Sequence, residues 1–246
     1  IAITEHVEYN PGKAFQILNL IKPGNIILIP GMELNTSVGH VLCFGANESM
    51  YTLQELFQVG ISIEKAIEIA KQNNLLLSLS HPWGYAKDSA GYRLGRHKMN
   101  HLVEQGFIGV EAFNGILGYL SYYIFDTGFF KVPIRLFDFV ERNKILKRTP
   151  LNGVSLKIKN KMLKTREGFV NNCARAIELG QKANFVTAGS DAHSADRIGV
   201  GQIRLRVEKK PETIIEFLLA LKQKQNVIWT GPDLIEEKPG VYHKMK

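Results

Sequence analysis

The sequence predicts an α/β fold built around a mostly parallel sheet. Two observations carry this. Short apolar runs alternate with segments of helical period along nearly the whole chain. Most of the runs are apolar at successive positions, as strands buried on both faces are, and no repeat or linker divides the 246 residues. A single domain over 1–246 is expected, interrupted by one region of different character.

The elements follow in order. Residues 1–4 form a short β-type run that ends at Glu5-His6. The chain opens inside this run without an initiator Met, so upstream residues are expected to be missing. Residues 14–21 read as a helix after Pro11-Gly12, stopped by Pro23-Gly24. Residues 25–30 (NIILIP) are a buried strand leading into Gly31-Met32-Glu33, and residues 39–45 a β-type run opening on Gly39-His40. Thr52 and Glu55 match a capping box for a short helix. Residues 62–72 are a clearer helix, with Ile63, Ala66, Ile67 and Ala70 on one face. A strand over 75–80 ends in His81-Pro82, a polar helix covers 93–105, and the strand 107–113 carries Glu111. A helix over 168–180 leads into the strand 185–188. Residues 200–207 alternate as a half-exposed strand, Pro211 opens a helix over 212–224, and 226–230 is a last short strand.

Residues 116–166 break this rhythm. Residues 117–139 are rich in Tyr and Phe, and residues 142–166 are basic without a single acid. The segment reads as a mostly helical insertion. It is either a hairpin with a solvated basic face or a groove that attracts phosphate backbones and stacks bases on its aromatics.

Composition narrows the function. The formal net charge of +8 and a pI near 9.4 favour acidic partners such as phosphates, nucleotides or nucleic acid. The two cysteines, Cys43 and Cys173, are far apart, offer no disulfide framework or CxxC motif, and suit a reducing cytoplasm. No apolar run approaches the length of a membrane span, so no membrane partner is expected, and no signal peptide is visible. Neither a GxxxxGK[ST] phosphate loop nor a GxSxG elbow occurs.

Chemistry-bearing residues collect after the predicted strands. His6, Glu33, His40, His81, Glu111, Asp191 and His193 all lie at or near predicted strand ends, where parallel α/β folds build their sites. Asp191 and His193, two residues apart, would leave one strand in one direction. Alone they are equally well a hydrogen-bonded pair. Four histidines with two or more carboxylates suit Zn²⁺, Mn²⁺ or Fe²⁺, and their number exceeds what one tetrahedral ion needs, so two to three ions are expected.

The motifs together resemble the PHP (polymerase and histidinol phosphatase) family. They are I-T-E-H at residues 3–6, G-M-E at 31–33, G-H-V-L-x-x-G at 39–45, S-H-P at 80–82, G-V-E-A-F-N at 109–114 and G-S-D-A-H at 189–193. The resemblance implies a distorted (β/α)7 TIM-like barrel with His6, Glu33, His40, His81, Asp191 and His193 as metal ligands. Glu33 would bridge two ions, with His40 and His81 completing one site. His6 and His193 would share another, and Glu33 and Asp191 would form half of a third. Glu111 would stand behind the ligands. Two departures are visible: no H-x-H strand opens the chain, and Glu5 stands where the family usually has Asp.

The function expected is that of a cytoplasmic metal-dependent phosphoesterase in which a metal-bound hydroxide attacks phosphorus, with Glu33, Asp191 and His193 acting through the metal. Arg197 is the first candidate for the substrate phosphate, with Arg93, Lys87 and Arg96 behind it. Nucleotides or short single-stranded nucleic acid are the expected substrates. The alternatives are a small-molecule phosphatase of the histidinol-phosphatase type and a non-catalytic domain that binds nucleic acid.

Overall fold

A computed structural model describes the chain except residues 86, 119–130, 194–197, 200, 206, 223–227, 232–233, 239–240 and 245–246. The backbone groups into two compact units. The first holds Ile1–Phe113, Ala176–Ala188 and Ile203–Trp229, the second Asn114–Arg175, Gly189–Gln202 and Thr230–Lys246.

A six-stranded sheet organises the first unit. Its strands run in sequential order: β1 (Ala2–Ile3), β2 (Ile29–Thr36), β3 (Gly39–Phe44), β4 (Leu76–Leu79), β5 (Ile108–Asn114) and β6 (Val186–Gly189). The sheet curls as half a barrel does, an α/β arrangement compatible with a TIM-like barrel. It is mixed rather than mostly parallel. β1/β2 and β4/β5 are parallel, but β3 runs antiparallel to both β2 and β4. The cause is local: only Ser37 and Val38 separate β2 from β3, whereas a parallel crossover needs about a dozen residues. β2 also begins later and runs further than residues 25–30 suggest, carrying Glu33 inside the strand.

Three helices follow local signals. α1 (Pro11–Ile21) starts at Pro11, three residues before the expected Ala14, because Pro suits the first turn and the Asn10 side chain accepts from the Lys13 N–H. α2 (Ile63–Gln72) is capped by the Ser62 hydroxyl and buries the stripe its period predicts. α3 (Ala90–Glu104) is kinked at Gly95, where φ is +71°.

Both faces of the sheet are buried, in two separate clusters. Met32, Leu34, Val41, Cys43, Leu77, Leu79, Ile108 and Val110 pack on one side with Ala66 and Ala70 of α2 and Met99 and Val103 of α3. Their neighbours Ile29, Leu42, Phe44, Leu76 and Phe185 pack on the other side with Leu218 and Leu221, which lie in a later helix named below. Alternation along each strand therefore sorts the residues. With Met32 and Leu34 in the first cluster, Glu33 must face the second side, and so must His40 and Glu111.

The second unit contains α4 (Lys131–Arg142) and α5 (Pro150–Lys182) as far as Arg175. The described part of the 116–166 segment is thus largely helical, although its aromatic stretch 119–130 lies outside the described residues. α5 starts well before residue 168. Thr149 is extended, as a residue before proline prefers, and Pro150 then opens the helix. α6 (Ile214–Lys222) supplies Leu218 and Leu221 to the first unit. A second sheet takes the order β10-β9-β8-β7, with β7 (Ile203–Arg204), β8 (Ile228–Gly231), β9 (Leu234–Lys238) and β10 (Val241–Lys244) paired antiparallel. β9 and β10 were not anticipated, although Pro239-Gly240 stands between them in sequence as a hairpin signal. Among the described residues no helix is long and apolar enough to cross a membrane.

The β2–β3 hairpin turns at Gly39, where φ is +112° and a Cβ would stand 2.6 Å from the carbonyl oxygen of Asp88. Gly39→Ala is expected to cost about 2–3 kcal/mol of stability. Urea denaturation with an unchanged m-value would measure it, and wild-type stability would contradict the packing described here.

Candidate metal centre

The site begins with a buried carboxylate. Glu33 is only 5% exposed, and burying a charge this deeply is costly unless opposite charge or hydrogen bonds surround it. The backbone on both sides of it is held. Two residues earlier, the Tyr51 hydroxyl accepts from the Gly31 N–H at 3.0 Å and donates to the Gly31 carbonyl at 3.1 Å. Burial pushes that phenol up to about 12. Beside it, the Glu33 N–H donates to the Glu5 carbonyl, and the Glu5 carboxylate accepts from the His6 N–H at 2.9 Å. The chain leaving β1 is thereby fixed with His6 bridged to Glu33.

Three imidazoles converge on the Glu33 carboxylate. His40 Nδ1 lies 3.3 Å and His81 Nε2 3.4 Å from Oε1, while His6 Nε2 lies 3.3 Å from Oε2. Sheet register places two of these, His6 through its parallel bridge to Glu33 and His40 through β3. Glu33 pairs with Leu42 and Asn35 with His40, so Glu33 and His40 occupy adjacent strands on the same face. The third comes from the first residues beyond β4, where the backbone of His81 turns to φ +27°. Burial by itself would raise the pKa of Glu33. With His40 and His81 protonated, their hydrogen bonds and charge outweigh it and hold the carboxyl well below the usual carboxylate range.

His81 is gripped at three atoms. Its N–H donates to Glu111 Oε2 at 2.7 Å, its carbonyl accepts from the Ser89 hydroxyl at 2.7 Å, and its Nδ1 lies 3.2 Å from the same Ser89 oxygen. Ser89 has one proton, and it is used on the carbonyl. Nδ1 must then be the donor to Ser89, which in neutral imidazole leaves Nε2 with its lone pair directed at a carboxylate oxygen. Two acceptors face to face repel unless a cation or an added proton stands between them. His40 extends the set outward, with Nε2 3.8 Å from Asp88 Oδ1.

The donor set fits a divalent ion. Nitrogen and carboxylate ligands about 2.0–2.1 Å from a tetrahedral ion stand about 3.3–3.4 Å from one another, the separation found around Glu33. Ligand atoms of His6, Glu33 and His40 all lie within 4.8 Å of one another. The two oxygens of Glu33 face different imidazoles, Oε1 toward His40 and His81 and Oε2 toward His6.

No family model, curated protein or solved structure matches this chain.

The remaining candidates stand as follows. Asp191 and His193 belong to the second unit and lie past the end of β6. A turn joins them rather than strand pleating: Asp191 has φ +49°, and His193 Nδ1 is 3.0 Å from the Asp191 carbonyl and 3.9 Å from its carboxylate. Asp191 Oδ2 accepts from Asn114 Nδ2 at 3.2 Å, while the imidazole of His193 is exposed. Arg93 points its guanidinium at carbonyl oxygens of Thr36, Ser37 and Lys87, tying the loop before α3 to the β2–β3 turn. Arg197 lies outside the described residues. Sequence reading missed Ser89 and Asp88. No motif marks them, because only folding of the 82–89 loop brings them back to His81 and His40.

If Ser89 fixes the tautomer of His81, Ser89→Ala should weaken zinc binding about 10–100-fold. Competition against a chromophoric chelator measures this, and unchanged affinity would remove Ser89 from the centre.

Proposed function

We propose that this protein is a metal-dependent phosphoesterase of the PHP kind, with His6, Glu33, His40 and His81 holding divalent ions of the Zn, Mn or Fe type. The observation that supports it is the Glu33 carboxylate surrounded by three imidazoles at 3.3–3.4 Å. An internal ion pair accounts for one imidazole on a carboxylate. Three, one of them held in the tautomer that leaves Nε2 bare when the ring is neutral, are better accounted for by cation binding.

Bound there, divalent ions would supply Lewis acidity for phosphoryl chemistry. The chain's own residues have separable roles. Glu33 offers an oxygen to each of two groups of imidazoles and brings negative charge that offsets the ions. Ser89 holds the Nδ1 proton of His81, and Glu111 holds its backbone, so that Nε2 stays basic and aimed. Asp88 stands on the far side of His40. Asp191 and His193 stay candidates on the family resemblance alone. The net charge of +8 favours an anionic substrate, and a phosphate ester of a nucleotide or a short single strand is the class proposed.

The test is hydrolysis of nucleoside monophosphates and bis-p-nitrophenyl phosphate by protein reloaded with Mn²⁺ or Zn²⁺. Glu33→Gln and His81→Ala should each lower kcat/KM by about a thousandfold or more and reduce bound metal. Turnover unchanged in both variants would sink the assignment.

Acid should strip the centre. The ligating imidazoles must be neutral to bind a metal ion, so protons compete with the metal for them. Metal retained per chain after dialysis is expected to fall as the buffer is acidified and to recover on neutralising in the presence of the metal. Retention independent of pH would show that the histidines do not hold it.

A further inference from the structure

Charge and apolar surface are distributed unequally over the second unit. Residues 131–166 contain eleven lysines and arginines and only two acids, Asp138 and Glu141. Both acids are engaged by one base: Lys159 Nζ lies 2.8 Å from Asp138 Oδ1 and 2.6 Å from Glu141 Oε2, pinning α4 to α5. Lys159 is therefore a structural tie, whereas Arg135 and Arg142 of α4 and Lys157, Lys161 and Lys164 of α5 are exposed.

The same faces are apolar in stripes. Val132, Leu136 and Phe139 are exposed at i, i+4 and i+7 of α4, with Arg135 beside them. Leu151, Val154 and Ile158 are exposed at i, i+3 and i+7 of α5, and the exposed Lys157, Lys161 and Lys164 lie one step around the helix. Ile145, between the helices, is 77% exposed.

We infer that these faces of α4 and α5 dock on the surface of an anionic lipid bilayer. Aliphatic side chains bordered by lysines are what a helix lying in the headgroup region needs: the apolar stripe enters the acyl boundary while the ammonium groups reach back to lipid phosphates. The charge is complementary to such a surface, and the segment's only two acids are already taken up by Lys159. A second copy of the chain would bring eleven bases against eleven. A nucleic-acid backbone would satisfy the lysines but give Leu151, Val154 and Ile158 no role. Among the described residues no helix is long and apolar enough to span the bilayer. This inference is independent of the phosphoesterase reading, because it uses neither metal nor turnover.

The experiment is flotation of the whole protein with vesicles of phosphatidylcholine alone and of equal parts phosphatidylcholine and phosphatidylglycerol. Binding is expected only to the anionic vesicles. It should fall about tenfold in V154S/I158S and in L136S/F139S, and about a hundredfold when Lys157, Lys161 and Lys164 are all changed to Gln. Circular dichroism and Tm establish that each variant is folded. Two apolar variants on different helices keep the test available if one is not. Absence of flotation with anionic vesicles overturns the proposal, as does flotation unaffected by the apolar substitutions. Displacement of the vesicles by a single-stranded oligonucleotide, or a dimer in sedimentation that V154S/I158S abolishes, would overturn it in favour of those partners.

Discussion

A single buried carboxylate constrains the first unit. Glu33 sits inside a strand whose flanking residues, Met32 and Leu34, are fully buried in the opposite direction. It cannot move to solvent without pulling those side chains out of the core, which would cost on the order of 2–5 kcal/mol each. The charge must be met where it is, and the neighbouring strands and the turn after β4 meet it with imidazoles. Other local features support this arrangement. Tyr51 secures the strand two residues upstream, Glu5 ties His6 to the end of β1, and Glu111 and Ser89 fix the backbone of His81 in a conformation with positive φ.

One rule of strand geometry thus serves stability and site alike. On one face β2–β5 alternate apolar residues into a helix-covered core. On the other, the sequence passes from Ile29, Leu42 and Leu76 to Glu33, His40 and Glu111. The apolar part of that face packs on α6, and the polar part carries the candidate centre. A register slip of one residue would exchange the two faces and bury Glu33 among Leu77, Leu79 and Val110, so core and site hold each other in register.

The second unit is governed by a different balance. Lys159 draws in both acids of α4, and exposed apolar stripes remain beside Arg135 on α4 and beside Lys157, Lys161 and Lys164 on α5. Its basic character was plain in the sequence. The assignment of particular lysines was not: Lys157, Lys159 and Lys161 look alike in sequence, yet Lys159 holds two helices together while the other two are exposed. That distinction requires knowing which faces of α4 and α5 meet.

The sequence by itself determined the alternation of strands and helices, the stripe of α2 and the choice of His6, Glu33, His40 and His81 as candidates, because these depend on spacing along one element or on residue type after a strand. It did not determine strand direction: a mostly parallel sheet is what the alternation predicts, whereas the two-residue connection between β2 and β3 forces a hairpin. Only the tertiary structure decided that four of the chosen residues meet around one carboxylate. It also decided that Ser89 and Asp88 reach His81 and His40, and that Arg93 turns to carbonyl oxygens. The reason is distance along the chain. Contacts between His6 and Glu33, or between Arg93 and Thr36, are set by strand register and loop closure, and no local pattern records either.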